Sequence, residues 1–175
     1  MSAAKNRMAS MVHRICAAGL PQPLERFALT GMFNTTVKFA GTSGIRIEAL
    51  SPAESTVTLA NRRRVQNHIG GVHACGMGLL AESATGVVFA MNVPDTHIPL
   101  IKSMKVDYKR RAQGDLKAVA SLTAEQMQDI QSSERGQVDV RVIVTDEKED
   151  APPPIDCEMI WAWVPKPQKQ KKTTS

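Results

Sequence analysis

The chain has 175 residues, 42% of them hydrophobic, which predicts one domain able to bury a core without disulfide or metal staples. Aromatics are scarce at 4%, and the three cysteines, Cys16, Cys75 and Cys157, stand apart with no CxxC pair. This argues against a stacked-aromatic single-strand platform, a disulfide framework and a zinc ribbon, and favours a reducing compartment. The net charge of +5 belongs to the ends: +3 falls on residues 1–14 and +4 on 165–175, leaving the body from 15 to 164 at −2. A duplex-binding domain needs its basic surface on the folded part, so no nucleic-acid partner is expected.

Met8, Met11, Val12, Ile15 and Cys16 fall on one face of a helix that can dock on the domain. No acid precedes Glu25, so the same stretch has the composition of a mitochondrial import segment, while a secretory signal lacks its apolar core. Pro21 and Pro23 break the chain before a short second helix, Leu24 to Met32, and residues 40–44 (AGTSG) read as loop. Alternation then begins. Ile45, Ile47 and Ala49 point one way and Arg46 and Glu48 the other. Ser51-Pro52 turns the chain, and Val57 and Leu59 continue the buried face of a hairpin.

From Val72 to Asn92 the sequence is small and apolar nearly all round, which predicts one long buried helix. Ala74, Gly78, Glu82 and Gly86 recur at i+4 on a stripe narrow enough to press against a neighbouring backbone. A membrane span is opposed by Glu82 at its middle and His73 near its start. Pro94 and Pro99 end the helix. Strands follow through Met104, Val106 and Tyr108, then Leu116 to Ala120, then Val138 to Val144, with a short helical turn from Ala124 to Gln131 capped by Thr123. The last strand carries Cys157, Met159, Trp161 and Trp163 on one side, and the tail from Pro165 is polar, basic and read as disordered.

Two strands, one long helix and four strands with short connections predict an α+β fold. A curved antiparallel sheet of five to six strands wraps around the helix, the hotdog arrangement. The expected organisation is an N-terminal helical extension over 1–39, a hotdog domain over 40–164 and a basic tail over 165–175.

Three polar residues bear on the start and middle of the helix. Asn67 lies in the glycine-containing entry loop with Gly70 and Gly71, His73 stands at the helix start, and Glu82 follows nine positions later. Nine residues turn the helix by half a revolution and advance it about 13 Å, so His73 and Glu82 cannot meet within one copy. Two helices running antiparallel across a dimer axis would bring them together and make two sites. Unpaired N–H groups at the helix start can hold a developing oxyanion. Glu82, in an apolar surround, should titrate above an ordinary carboxylate and could act as general base or nucleophile. Bland roles are open for each: Asn67 as a turn cap, His73 as a satisfied helix-start residue, Glu82 as a buried hydrogen-bonding group.

The run Asn67-His68-Ile69-Gly70-Gly71-Val72-His73-Ala74, followed by Leu80-Ala81-Glu82, resembles the signature of hotdog-fold acyl-CoA thioesterases of the PaaI type. Ile98-Pro99, Lys102 to Tyr108 and Gly114-Asp115-Leu116 are similar to an uncharacterised branch of that superfamily, often labelled a domain of unknown function. The resemblance implies a homodimer or dimer of dimers acting on an acyl-CoA or acyl-carrier thioester. It implies that Asn67 and His73 orient the thioester, that Gly71 and the N–H of Ala74 line the oxyanion site, and that Glu82 of the other subunit is base or nucleophile. Ala74-Cys75 replaces the family's Gly-Gly, and glutamate replaces the commoner aspartate.

Coenzyme A carries phosphates, so Arg62, Arg63 and Arg64 before the site loop, and Lys109, Arg110 and Arg111 after the downstream strand, are candidates to clasp it. No cofactor and no metal are expected, since His68, His73, Cys75 and His97 match no zinc spacing. The rival reading is a non-catalytic hotdog dimer that binds an acyl ligand or a partner protein. The expected compartment is the cytoplasm, with mitochondria as the alternative.

Overall fold

The computed structural model describes residues 6–148 and 150–167. Three helices come first, α1 (Arg7–Ala17), α2 (Gln22–Thr36) and α3 (Lys38–Ser43), then the hairpin β1 (Ile45–Leu50) and β2 (Glu54–Leu59). A 3-10 turn (Arg63–Val65) leads to the long helix α4 (Ala74–Ala90). After it come β3 (His97–Tyr108), β4 (Leu116–Ser121), α5 (Ala124–Ser132), β5 (Gly136–Asp139), β6 (Arg141–Asp146) and β7 (Ile155–Pro165).

All strand pairs are antiparallel, in the orders β1-β2-β4-β6 and β3-β7-β5. Only Val140 separates β5 from β6, and its N–H donates to Met159 O at 3.0 Å, so one bent strand serves both halves of the sheet. The predicted single strand from Val138 to Val144 is therefore two pieces. The bend leaves Val140 and Val144 buried and Val138 and Val142 half-buried. The sheet does not close and curls around α4, which is the expected hotdog fold.

The helix α4 is buried because nearly every side of it is apolar: Leu80, Ala81, Ala84, Val88 and Phe89 are fully enclosed. Phe89 packs on the rings of Trp161 and Trp163 at centroid distances of 5.5 and 6.2 Å. Among the described residues no helix is long and apolar enough to cross a membrane.

Local chemistry moves several expected boundaries. Residues 38–43 are helical rather than loop, and Gly44, at φ 80°, supplies the left-handed C-cap that ends α3. Prolines suit a first turn, so Pro23 sits inside the start of α2, and that helix runs further than expected at both ends. A β-bulge between Ile47 and Ala49 rotates β1, so Leu50 is buried and Ala49 exposed, against the expected alternation. Pro99 lies within β3 instead of ending the helix region, which an edge strand tolerates. The small-residue stripe on α4 meets no neighbouring backbone at its tested glycines: a methyl on Gly86 would strike the Trp161 ring, and one on Gly78 would meet open space. Pro165 ends β7, and Lys166 is tied through its N–H to Thr96 O and through Nζ to Asp95 O. The rest of the expected disordered tail, from 168 on, lies outside the described residues.

Candidate active site

The loop entering α4 folds around Asn67. Its Oδ1 accepts from the N–H groups of Ile69 (3.0 Å) and Gly71 (3.2 Å), and its own N–H donates to Gly71 O at 2.8 Å. Gly70, at φ 78°, takes the left-handed conformation this tight turn requires. The Oδ1 is thus occupied, and Nδ2 has no protein partner among the described residues. Asn67 can donate to a ligand there but cannot accept through the same amide.

Two residues that sequence reasoning did not single out hold this loop and the helix start in place. Asn61 Nδ2 donates to Gly70 O at 3.1 Å, and the Tyr108 hydroxyl, on edge strand β3, donates to Ala74 O at 3.0 Å. No sequence pattern marks either: Asn61 reaches nine residues ahead across the loop, and Tyr108 reaches back 34 positions from another element. Burial and the nearby Cys75 and Cys157 thiols push the Tyr108 phenol up.

His73 is the N-cap of α4. Its Nδ1 accepts from the N–H of Cys75 at 3.1 Å, so the neutral ring carries its proton on Nε2. His73 is exposed, and Nε2–H faces no protein acceptor among the described residues. The first helical N–H, that of Ala74, also has no recorded partner there. The N–H of Cys75 is taken by the imidazole, and those of Gly76 and Met77 by His73 O. The helix start therefore presents three donors: Asn67 Nδ2, His73 Nε2 and the Ala74 N–H. Such a set, backed by the helix dipole, suits a carbonyl oxygen gaining negative charge.

Glu82 lies away from these donors. Nine residues on, about 13 Å along the axis, it is half-buried on the wall of an apolar cavity of about 440 Å³. Burial pushes its carboxyl above the usual range, against a smaller opposing effect of Ser83. Ser83 is only 1% exposed, and its hydroxyl has no hydrogen-bond partner among the described residues. One chain thus places the free donors at the start of α4 and the raised carboxyl at its middle, on the opposite face.

The basic candidates divide. Arg62, Arg63 and Arg64 line an open hollow with Arg46, next to the Val65 carbonyl that accepts from His73 N–H at 2.8 Å. Lys109 is exposed and lies 3.8 Å from Asp107. Arg110 does not offer the expected phosphate contact. Its guanidinium donates bidentately to both Asp146 oxygens at 2.7 Å, and further to Pro152 O and Arg111 O. The Arg110 pair holds the Asp146 carboxyl down at about 2. Arg111 braces the site loop instead, donating from Nη2 to Ile69 O at 3.0 Å.

A family model described as Domain of unknown function (DUF4442) matches residues 26–164. No match is found among curated proteins. Solved structures share the fold. A structural-genomics target is 26% identical, covering 91% of this chain and 99% of its own, with a TM-score of 0.68. A Pseudomonas aeruginosa protein of unknown function, described as a probable thioesterase, is 23% identical over 84% of this chain and 97% of its own, at a TM-score of 0.69. A Haemophilus influenzae thioesterase is 13% identical over 78% and 90%, at 0.58.

Proposed function

We propose, for a chain that belongs to the DUF4442 family, the hydrolysis of an acyl-CoA or acyl-carrier thioester at a site shared between two subunits. The observation that carries this reading is the unoccupied donor set at the start of α4, Asn67 Nδ2, His73 Nε2 and Ala74 N–H, beside a raised carboxyl that the same chain cannot deliver to it. A second copy, with its α4 antiparallel, can. Edge strand β3 supports the pairing: among the described residues β7 is its one strand neighbour, and its Leu100, Ile101 and Met104 are exposed.

In this reading the thioester oxygen sits against Ala74 N–H and His73 Nε2–H, and Asn67 Nδ2 fixes its direction, with Gly71 leaving room at the loop. Glu82 of the partner subunit takes a proton from water as the oxygen adds to the carbonyl carbon. The oxyanion collapses, the carbon–sulfur bond breaks, and the proton held by Glu82 passes to the leaving thiolate. Arg62, Arg63 and Arg64 would meet the coenzyme A phosphates. A reducing compartment such as the cytoplasm suits three unpaired cysteines.

One observation favours the non-catalytic alternative: Asn67 and His73 both already serve as caps of local structure. Thiol release from a panel of short, medium, long and aryl acyl-CoAs decides between them, with wild type beside Glu82→Gln. Turnover lost in the variant with the dimer intact is the expected result. Absence of turnover on the whole panel would overturn the hydrolase reading.

A further inference from the structure

The cavity that Glu82 lines is built by two parts of the chain. Helix α4 supplies the polar wall, Glu82 and Ser83. The opposite wall comes from the N-terminal helices, with Met8 and Met11 of α1 and Met32 of α2. The matched family region begins at residue 26, so α1 and its two methionines lie outside it.

Helix α1 is moored at one point. Asn6 caps it, accepting from Ala9 N–H at 2.7 Å. The same side chain donates from Nδ2 to Ala90 O at 2.8 Å and Val93 O at 2.6 Å, where α4 ends. Arg7 adds a backbone hydrogen bond and an ion pair to Asp95. Beyond that mooring α1 rests on apolar contact, with Val12 buried and Met8 and Ile15 packed on the core. Methionine is unbranched and deformable, so a wall of three can adapt to a chain lying along it.

We propose that this cavity holds the acyl chain of the substrate, and that Met8, Met11 and Met32 set the longest chain accepted; the inference rests on the hydrolase reading above. Two observations point to an acyl occupant. The lining is mostly apolar, with Arg7, Thr36, Glu82 and Ser83 as its polar members, and the buried Ser83 hydroxyl has no hydrogen-bond partner among the described residues. The volume also fits. A methylene takes about 30 Å³, the share of a liquid water molecule, so a cavity of about 440 Å³ admits an aliphatic chain of up to about fifteen carbons and excludes much longer ones.

The test separates binding from turnover. Saturated fatty acids of increasing length, from butanoic to hexadecanoic acid, are titrated against the full chain by calorimetry, and the matching acyl-CoAs are assayed for hydrolysis. Met32→Trp fills the cavity. It should weaken dodecanoate binding at least tenfold and leave butanoate within about twofold, with the hydrolysis profile shifting to shorter chains. Met11→Trp, at the more exposed rim, gives the same reading if Met32→Trp does not fold. An unchanged length profile in folded variants, or a wild type that hydrolyses acyl-CoAs but binds no fatty acid, overturns the pocket and leaves the hydrolase. A length profile that shifts with the methionines while no thioester is turned over upholds the pocket and overturns the hydrolase.

Discussion

The indole Nε1–H of Trp161 donates to the Thr85 hydroxyl at 2.9 Å, in a fully buried pair that joins β7 to α4 one turn past Ala81. Thr85 passes its own proton back to the helix, with Ala81 O at 2.9 Å and Glu82 O at 3.1 Å as acceptors. Thr85→Val keeps the shape and strands the indole N–H. An unpaired buried donor costs about 1–3 kcal/mol, so urea unfolding should show a loss of that order. Adding Trp161→Phe should return part of the hydrogen-bond loss, because the orphaned donor then disappears.

Glu82 carries the clearest prediction for the rate. General acid–base catalysis contributes roughly 10²–10⁴-fold, so Glu82→Gln should cost at least a hundredfold in kcat. A base must be ionised to act. Burial raises the carboxyl above its usual range, so the acid limb of the wild-type pH–rate profile should lie above that of an exposed glutamate and vanish from any residual activity of the variant.

The same residue predicts an opposite effect on stability. A carboxyl whose folded pKa is raised favours the folded state in its protonated form. That advantage is full below the unfolded value and is lost as pH rises through the folded one. At neutral pH the wild type holds an ionised group in an apolar wall, which Glu82→Gln removes. The variant should therefore melt higher than wild type at pH 7, with the difference shrinking as pH falls through the raised folded value and levelling off below about 4.5. Equal melting temperatures at all pH values would contradict the burial argument.

The two ring nitrogens of His73 separate the observed cap, at Nδ1, from the proposed substrate donor, at Nε2. His73→Asn retains an N-cap acceptor but lacks the reach of Nε2, so turnover should fall while the melting temperature holds. His73→Ala loses the cap as well and should cost about 1 kcal/mol in stability. Comparing the two by denaturant unfolding and by rate isolates the donor.

Asp146 and Arg110 form the best-enclosed ion pair, with side chains 1% and 18% exposed. Removing the carboxylate charge leaves the bidentate guanidinium without its counter-ion, so Asp146→Asn should lower the urea midpoint. The carboxyl is depressed to about 2 from 3.8. Its contribution is present above the unfolded value and is lost as pH falls between these two numbers. Acid unfolding of the wild type should show that step, and Asp146→Asn should lack it.

Much of this was legible in the sequence, for identifiable reasons. The long helix announced itself because it is apolar on every side and framed by strands, and the His73–Glu82 interval places the two groups on opposite faces by helix geometry alone. Of the expected docking face Met8, Met11, Val12, Ile15 and Cys16, Val12 is buried and Met8 and Ile15 pack on the core, while Met11 and Cys16 are exposed. What escaped were facts of tertiary contact. The bulge at Ile47 and Ala49 leaves no local mark, and the bend at Val140 sits inside an unbroken run of alternating valines. Nor could the sequence show that Arg110 is held by a carboxylate 36 positions away, or that Asn6 fastens the first helix to the end of the fourth.

The strand order has a consequence for how the chain is made. β3 pairs with β7 from His97 against Pro165 to Tyr108 against Ile155, and β7 is the last strand among the described residues. Trp161 and Trp163, which cover Phe89 of α4, lie on that strand. During synthesis the apolar helix is complete long before its final cover leaves the ribosome. An exposed apolar helix and an unpaired β3 edge then coexist in the nascent chain, the combination that invites aggregation and chaperone capture. Long-range pairing of this kind also folds slowly. Folding should therefore stay incomplete until the eleven residues of β7 are released.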